Sequence, residues 1–146
     1  MKRISIKGVV LGGIADIVAT NLLTIPLVVY VARQIDLAQF PPNQMSHMIM
    51  LHIHTTPVLY SVQAAIGIAS SVFGGYLAAW LARHDQLLNG ALSSWLCITF
   101  GLYGLASGAV EASTTMQVVG LVVSPLAGAI GGYVRLRQTA ARLERG

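Results

Sequence analysis

Four stretches of this chain are each long and apolar enough to cross the hydrocarbon core of a bilayer, and this constrains the fold more than any other feature. They cover 8–31, 57–82, 88–109 and 115–134. The first, "GVVLGGIADIVATNLLTIPLVVYV", has Asp16 as its single charged residue. A backbone surrounded by lipid must satisfy its own hydrogen bonds, so such stretches fold as helices. The composition agrees. Only 10% of the 146 residues are charged and 55% are hydrophobic, whereas a soluble domain carries roughly 25% charged residues. The mean hydropathy is +0.70. The expectation is all-α: an integral membrane four-helix bundle forming a single domain over 1–146.

Charge assigns the sides. Lys2, Arg3 and Lys7 precede the first stretch, Arg83 lies between the second and third, and Arg135, Arg137, Arg142 and Arg145 follow the fourth. Arg33 alone falls on the other side. The positive-inside rule then predicts cytoplasmic N and C termini and a cytoplasmic 83–87 loop, in a prokaryotic inner (plasma) membrane. Trp80, Trp95 and Tyr133 fall toward the inner interface, and Tyr30 and Tyr60 toward the outer one, depths that aromatic side chains favour. The first stretch is too long for a secretory h-region and no small-x-small site follows it, so it reads as a retained helix. Basic residues at ends and loops suit lipid headgroups, not nucleic acid. The basic tail, 135–146, pairs Arg135 with Arg142 and Leu136 with Leu143 at a spacing of seven, which suits a helix on the anionic inner leaflet.

Lipid gives helices no hydrophobic reason to associate, so small residues that admit close approach matter. Gly67, Ser71, Gly75 and Ala79 lie four apart in the second stretch, and Ser124, Gly128 and Gly132 in the fourth. Residues four apart share a helix face. Cys97 and Gly101, then Gly104 and Gly108, mark the third stretch, and Gly8, Gly12, Asp16, Thr20 and Thr24 the first. These are the expected helix-packing seams. A shift of 57 residues lays Gly67, Ser71, Gly75 and Tyr76 on Ser124, Gly128, Gly132 and Tyr133, which hints at a parallel duplication.

The run Gly74, Gly75, Tyr76, Ala78, Ala82, Arg83, the following "LLNGAL" and the opening "KGVVLGGIADIVAT" resemble a broad group of small four-transmembrane-helix prokaryotic membrane proteins. The resemblance implies a compact four-helix fold and brings no activity with it.

Polar groups inside a membrane are costly and mark functional candidates. Asp16 is the foremost, with Asn21 and Thr24 further along the same helix and Gln63 in the second. They are the candidates for binding or transport of an ion or small molecule. The alternative is a structural Asp16, bonded to hydroxyls of the small-residue seams. Gln117 lies near the outer end of the fourth stretch. Glu111 reads as a solvated loop acid, and Ser113 or Thr114 as a helix cap. Pro26 and Pro125 each remove a backbone donor within an apolar stretch.

The outer loop, 32–56, contains "MSHMIMLHIHTTP". Asn43 is placed to cap a short interfacial helix over about 44–54, and Thr56 with Pro57 to start the next span. Thioether and imidazole donors together suit copper, so His47, His52, His54, Met45 and Met48 form a candidate copper or zinc site. The competing reading buries Met, Ile and Leu in the interface and turns the histidines to headgroups or a partner.

No GK[ST] loop, HExxH, CxxC or GxSxG is present. The acids are scattered and Cys97 lies in an apolar run, where it reads as a packing residue. Nothing here indicates an enzyme, and no resident cofactor is implied beyond the copper or zinc candidate. The preferred expectation is a non-catalytic accessory or scaffold subunit, packing against itself or another membrane protein in the lipid bilayer. A transporter using Asp16 is the first alternative, and outer-face metal binding the second.

Overall fold

The structure, a computed structural model, describes residues 4–107 and 114–144. The expectations for Gly104, Gly108, Glu111 and Ser113, and for the side chains of Thr114 and Gln117, fall outside the described set. The described residues are all-α. In chain order they form α1 (Ile6–Gln34), a single 3-10 turn (Leu37–Gln39), α2 (Pro42–Thr55), α3 (Pro57–Ala82), α4 (Gln86–Leu92), α5 (Trp95–Ser107) and α6 (Thr114–Leu143).

Among the described residues, three helices and not four are long and apolar enough to cross a membrane: α1, α3 and the Val118–Arg142 part of α6. The third expected span is broken at Ser93 and Ser94 into α4 and α5. Hydroxyl side chains compete with the helical backbone, and here both do so. Ser93 Oγ donates to the Gly90 carbonyl at 2.7 Å, and Ser94 Oγ reaches across to the Ser124 carbonyl of α6 at 2.9 Å. Both serines are fully buried.

Helix α3 is central. It packs antiparallel to α1 and parallel to α6, while α4 lies antiparallel along α6. Glycine makes these contacts possible. A Cβ on Gly12 would lie 2.6 Å from the Gly74 carbonyl oxygen, and one on Gly74 would lie 2.7 Å from that of Gly12. Gly75 meets the Gly128 backbone in the same way, and Gly90 meets Gly128 and Gly132. The expected seam at Gly75, Gly128 and Gly132 is therefore a backbone contact within the chain. Gly67 departs from it: nothing lies within 4 Å of a Cβ built there.

The ends are tied by polar groups. Ser5 caps α1 by accepting from the Gly8 N–H at 3.2 Å, and its own N–H donates to Asn89 Oδ1 at 2.8 Å. Asn89, fully buried, donates to the His84 and Asp85 carbonyls, each at 3.0 Å. One amide thus joins the start of α1, the turn after α3, and α4. Arg83 (φ 60°) and Asp85 (φ 41°) take left-handed conformations in that turn.

Helix α2 starts at Pro42 behind Pro41, so Asn43 lies inside it rather than capping it. The two prolines set the first turn, where a missing N–H costs nothing. Ile49 and Ile53 bury against Leu27, Val31 and Leu59, which docks α2 on the ends of α1 and α3. Thr56 and Pro57 open α3 as expected, though the Thr56 side chain makes no capping bond. The basic tail is not a separate surface helix. It continues α6 to Leu143, pinned by Tyr76 Oη donating to Gln138 (2.8 Å) and Gln86 Nε2 donating to Thr139 (3.3 Å). No Pro or Gly interrupts the chain between Gly132 and Leu143.

A Gly75→Ala substitution is expected to destabilise the fold by about 1–3 kcal/mol, because the new methyl meets backbone that cannot rotate away. Gly67→Ala should be neutral or mildly stabilising, since alanine favours the helix by about 1 kcal/mol over glycine. Denaturation midpoints of the two variants in detergent check this contrast.

Candidate binding site at Asp16

Asp16 sits on α1 one turn beyond Gly12, where α1 and α3 are in backbone contact. Its residue exposure is 1%. Oδ2 accepts from Ser71 Oγ of α3 at 3.0 Å and from Cys97 Sγ of α5 at 3.2 Å. Ser71 Oγ also lies 3.2 Å from Ser124 Oγ of α6. Residues from four helices therefore converge on one carboxyl group. Oδ1 has no hydrogen-bond partner.

A cavity of about 460 Å³ opens beside this group. Asp16, Ser71, Cys97 and Ser124 line one end of it, and His54 and Tyr60 line the α2 end. Its longest wall is a single stripe of α3: Tyr60, Gln63, Ala64, Gly67, Ile68 and Ser71. These positions recur at three and four residues, which places them on one helical face. From Tyr60 to Ser71 the stripe runs about 16 Å at the α-helical rise. Val119, Gly120 and Val123 of α6 form the facing wall. Gln63 Oε1 is a second buried acceptor without a partner.

Two glycines in these walls make no packing contact. Neither Gly67 nor Gly120 has any atom within 4 Å of a built Cβ. A mid-helix glycine costs about 1 kcal/mol relative to alanine. Elsewhere in the bundle that cost is offset by backbone approach. Here the missing side chains leave open space.

Of the sequence candidates, Asp16 and Gln63 share the cavity, but Asn21 and Thr24 do not line it. Asn21 Nδ2 donates to the Ile17 carbonyl at 2.8 Å and Thr24 Oγ1 to the Thr20 carbonyl at 2.7 Å, so both turn back onto α1. Ser71 and Ser124, expected as packing residues, carry hydrogen bonds at the site, as does Cys97. Gly120 was not singled out, although it extends the four-residue stripe of Ser124, Gly128 and Gly132 by one turn. Of the histidines, His54 alone lines the cavity, with its ring edge-on to Tyr60 at 6.1 Å between centroids. His47 is exposed, and His52, Met45 and Met48 are half-buried. Among the described residues, no three His, Cys, Asp or Glu side chains gather closely enough to hold a metal ion.

No family model, curated protein or solved structure matches this chain.

Ser71→Ala should cost about 1 kcal/mol, because it strips one donor from a buried carboxyl and the link to Ser124. Cys97→Ala should cost less, a thiol being the weaker donor. The double variant should exceed the sum, since it leaves Oδ2 without any donor. A double-mutant cycle on denaturation midpoints measures all three.

Proposed function

We propose that this chain is an integral membrane protein that binds a small molecule beside Asp16 and carries it across the bilayer. The observation that carries this reading is the cavity ending at a buried carboxyl group whose Oδ1 is unpartnered. Ser71 lies near the middle of α3 and Asp16 about a third of the way along α1, and transporter sites characteristically sit within the bilayer beside discontinuous helices. The α4–α5 break provides such a discontinuity: Ser94 bonds Ser124, which is itself in contact with Ser71. Pro125, next to Ser124, removes a backbone donor from α6 where the cavity meets the packed half of the bundle.

The proposed topology has both termini in the cytoplasm of a prokaryotic cell, with the chain in the inner membrane. Lys7, Arg83, Arg135, Arg137 and Arg142 lie at one end of the long helices and Arg33 at the other, a bias that suits this orientation. The scaffold expectation drew on the small-residue seams and on the outer His/Met patch. Gly75, Gly128 and Gly132 are closed against neighbours within the chain, so they offer a partner no free face.

Two uncharged substitutions test the reading. Gly67→Leu with Gly120→Leu should fill the cavity without strain, as both positions are open. Proteoliposomes are loaded with phenylbutylguanidinium or with phenylbutylurea. The wild type should release at least one probe faster than protein-free vesicles do. The filled variant should match the protein-free rate at a melting temperature no lower than that of the wild type. Release of neither probe, or release that survives the filling, would contradict the proposal.

A further inference from the structure

We infer that the ligand of this cavity is a slim organic monocation, its charged head at Asp16 and its apolar body along α3 toward Tyr60. The inference rests on the binding reading above and names the substrate class.

Charge comes first. Among the described residues lining the cavity none is Lys or Arg, and Asp16 is the only acid. Asp16 is 1% exposed, so water does not solvate its carboxyl. A buried acidic group is stable only when hydrogen-bonded and, if ionised, paired. Ser71 and Cys97 donate to Oδ2, the Thr20 hydroxyl one turn along α1 is a further group beside the carboxyl, and Oδ1 has no partner within hydrogen-bond geometry. Gln63 Oε1, two turns from Ser71 along the same wall, also lacks one. With the carboxyl group ionised, the unfilled positions are both acceptors, so the complementary ligand is a donor. Next to a carboxyl group the strongest donor is a cation, whose charge-assisted bond is roughly twice as strong as a neutral one.

The walls identify the rest. Ala64, Ile68, Val119 and Val123 are hydrocarbon, and Gly67 and Gly120 widen the channel at mid-length. A hard metal cation such as Ca2+ or Mg2+ wants about six oxygen ligands. Two partnerless oxygens on an apolar wall do not supply that shell. An organic cation needs fewer, because its own carbon substituents meet the walls. His54 lies at the far end, against Tyr60, where it faces the ligand's tail rather than its head.

The matched pair of probes separates charge from shape. Phenylbutylguanidinium and phenylbutylurea share size and planarity, and where the urea carries a carbonyl acceptor the guanidinium carries an NH2 donor and a positive charge. Their affinities are titrated by saturation-transfer NMR on the full chain in lipid nanodiscs. The wild type should bind the guanidinium at least about tenfold more tightly, a factor that one charge-assisted bond supplies. Asp16→Asn, nearly isosteric, should remove that preference by weakening guanidinium binding. The wild-type comparison stands alone should Asp16→Asn fail to fold. Equal binding of both probes, abolished by filling the cavity, would overturn the cation assignment and leave the cavity reading intact. A guanidinium preference that survives Asp16→Asn would also overturn it. Binding of neither probe, or binding indifferent to Gly67→Leu and Gly120→Leu, would overturn both.

Discussion

A carboxyl group held out of water at the crossing of α1, α3, α5 and α6 is the constraint on which this structure turns. Such a group is tolerable only where donors reach it. Serine and cysteine side chains are short, so their helices must come close. Glycine supplies that closeness: Gly12 against Gly74, and Gly75 against Gly128. Ser71 and Ser124 then stand one turn from Gly75 and Gly128, within reach of each other and, for Ser71, of Asp16. The hydrogen bonds at the site and the backbone contacts beside it are two consequences of one register.

The same residue type does opposite work on the two sides of Asp16. Toward Ala82, glycines let backbones touch. Toward Tyr60, Gly67 and Gly120 line the cavity, and nothing lies within 4 Å of a Cβ built on either. The bundle is closed in one half and hollow in the other, with the carboxyl group at the boundary. Helix α2 covers the hollow half, fixed by Ile49 and Ile53, and contributes His54 to its wall. The tightly packed half would give the head of the proposed ligand a fixed partner, and the cavity would give its body an adaptable one.

Much of this was legible in the sequence. The second apolar stretch, 57–82, coincides with α3, and the first lies within α1. Asp16 stood out because an acid in an apolar run is costly unless donors reach it, and the seam hydroxyl of Ser71 does reach it, as the structural alternative expected. The break at Ser93 and Ser94 was not legible, because it depends on a carbonyl of α6 that sequence spacing cannot locate. Gly67 and Gly75 sit eight residues apart on one stripe and look alike in the sequence. One is a contact and the other a wall, and the difference lies in where α3 and α6 diverge. The three histidines likewise differ only in the direction each faces from α2. The outward apolar surface was easy to read and the interior was not, because a hydrophobic pattern does not tell which apolar residues face neighbouring helices.

The most direct measurement is photoaffinity labelling of the full chain in nanodiscs with phenylbutylguanidinium carrying a diazirine on its ring, followed by peptide mapping. The account predicts adducts in the cavity walls, on the α3 segment 57–68 and the α6 segment 119–123, lost in the Gly67→Leu, Gly120→Leu variant. Adducts confined to the outward faces of α1 or α5, unchanged when the cavity is filled, would contradict it.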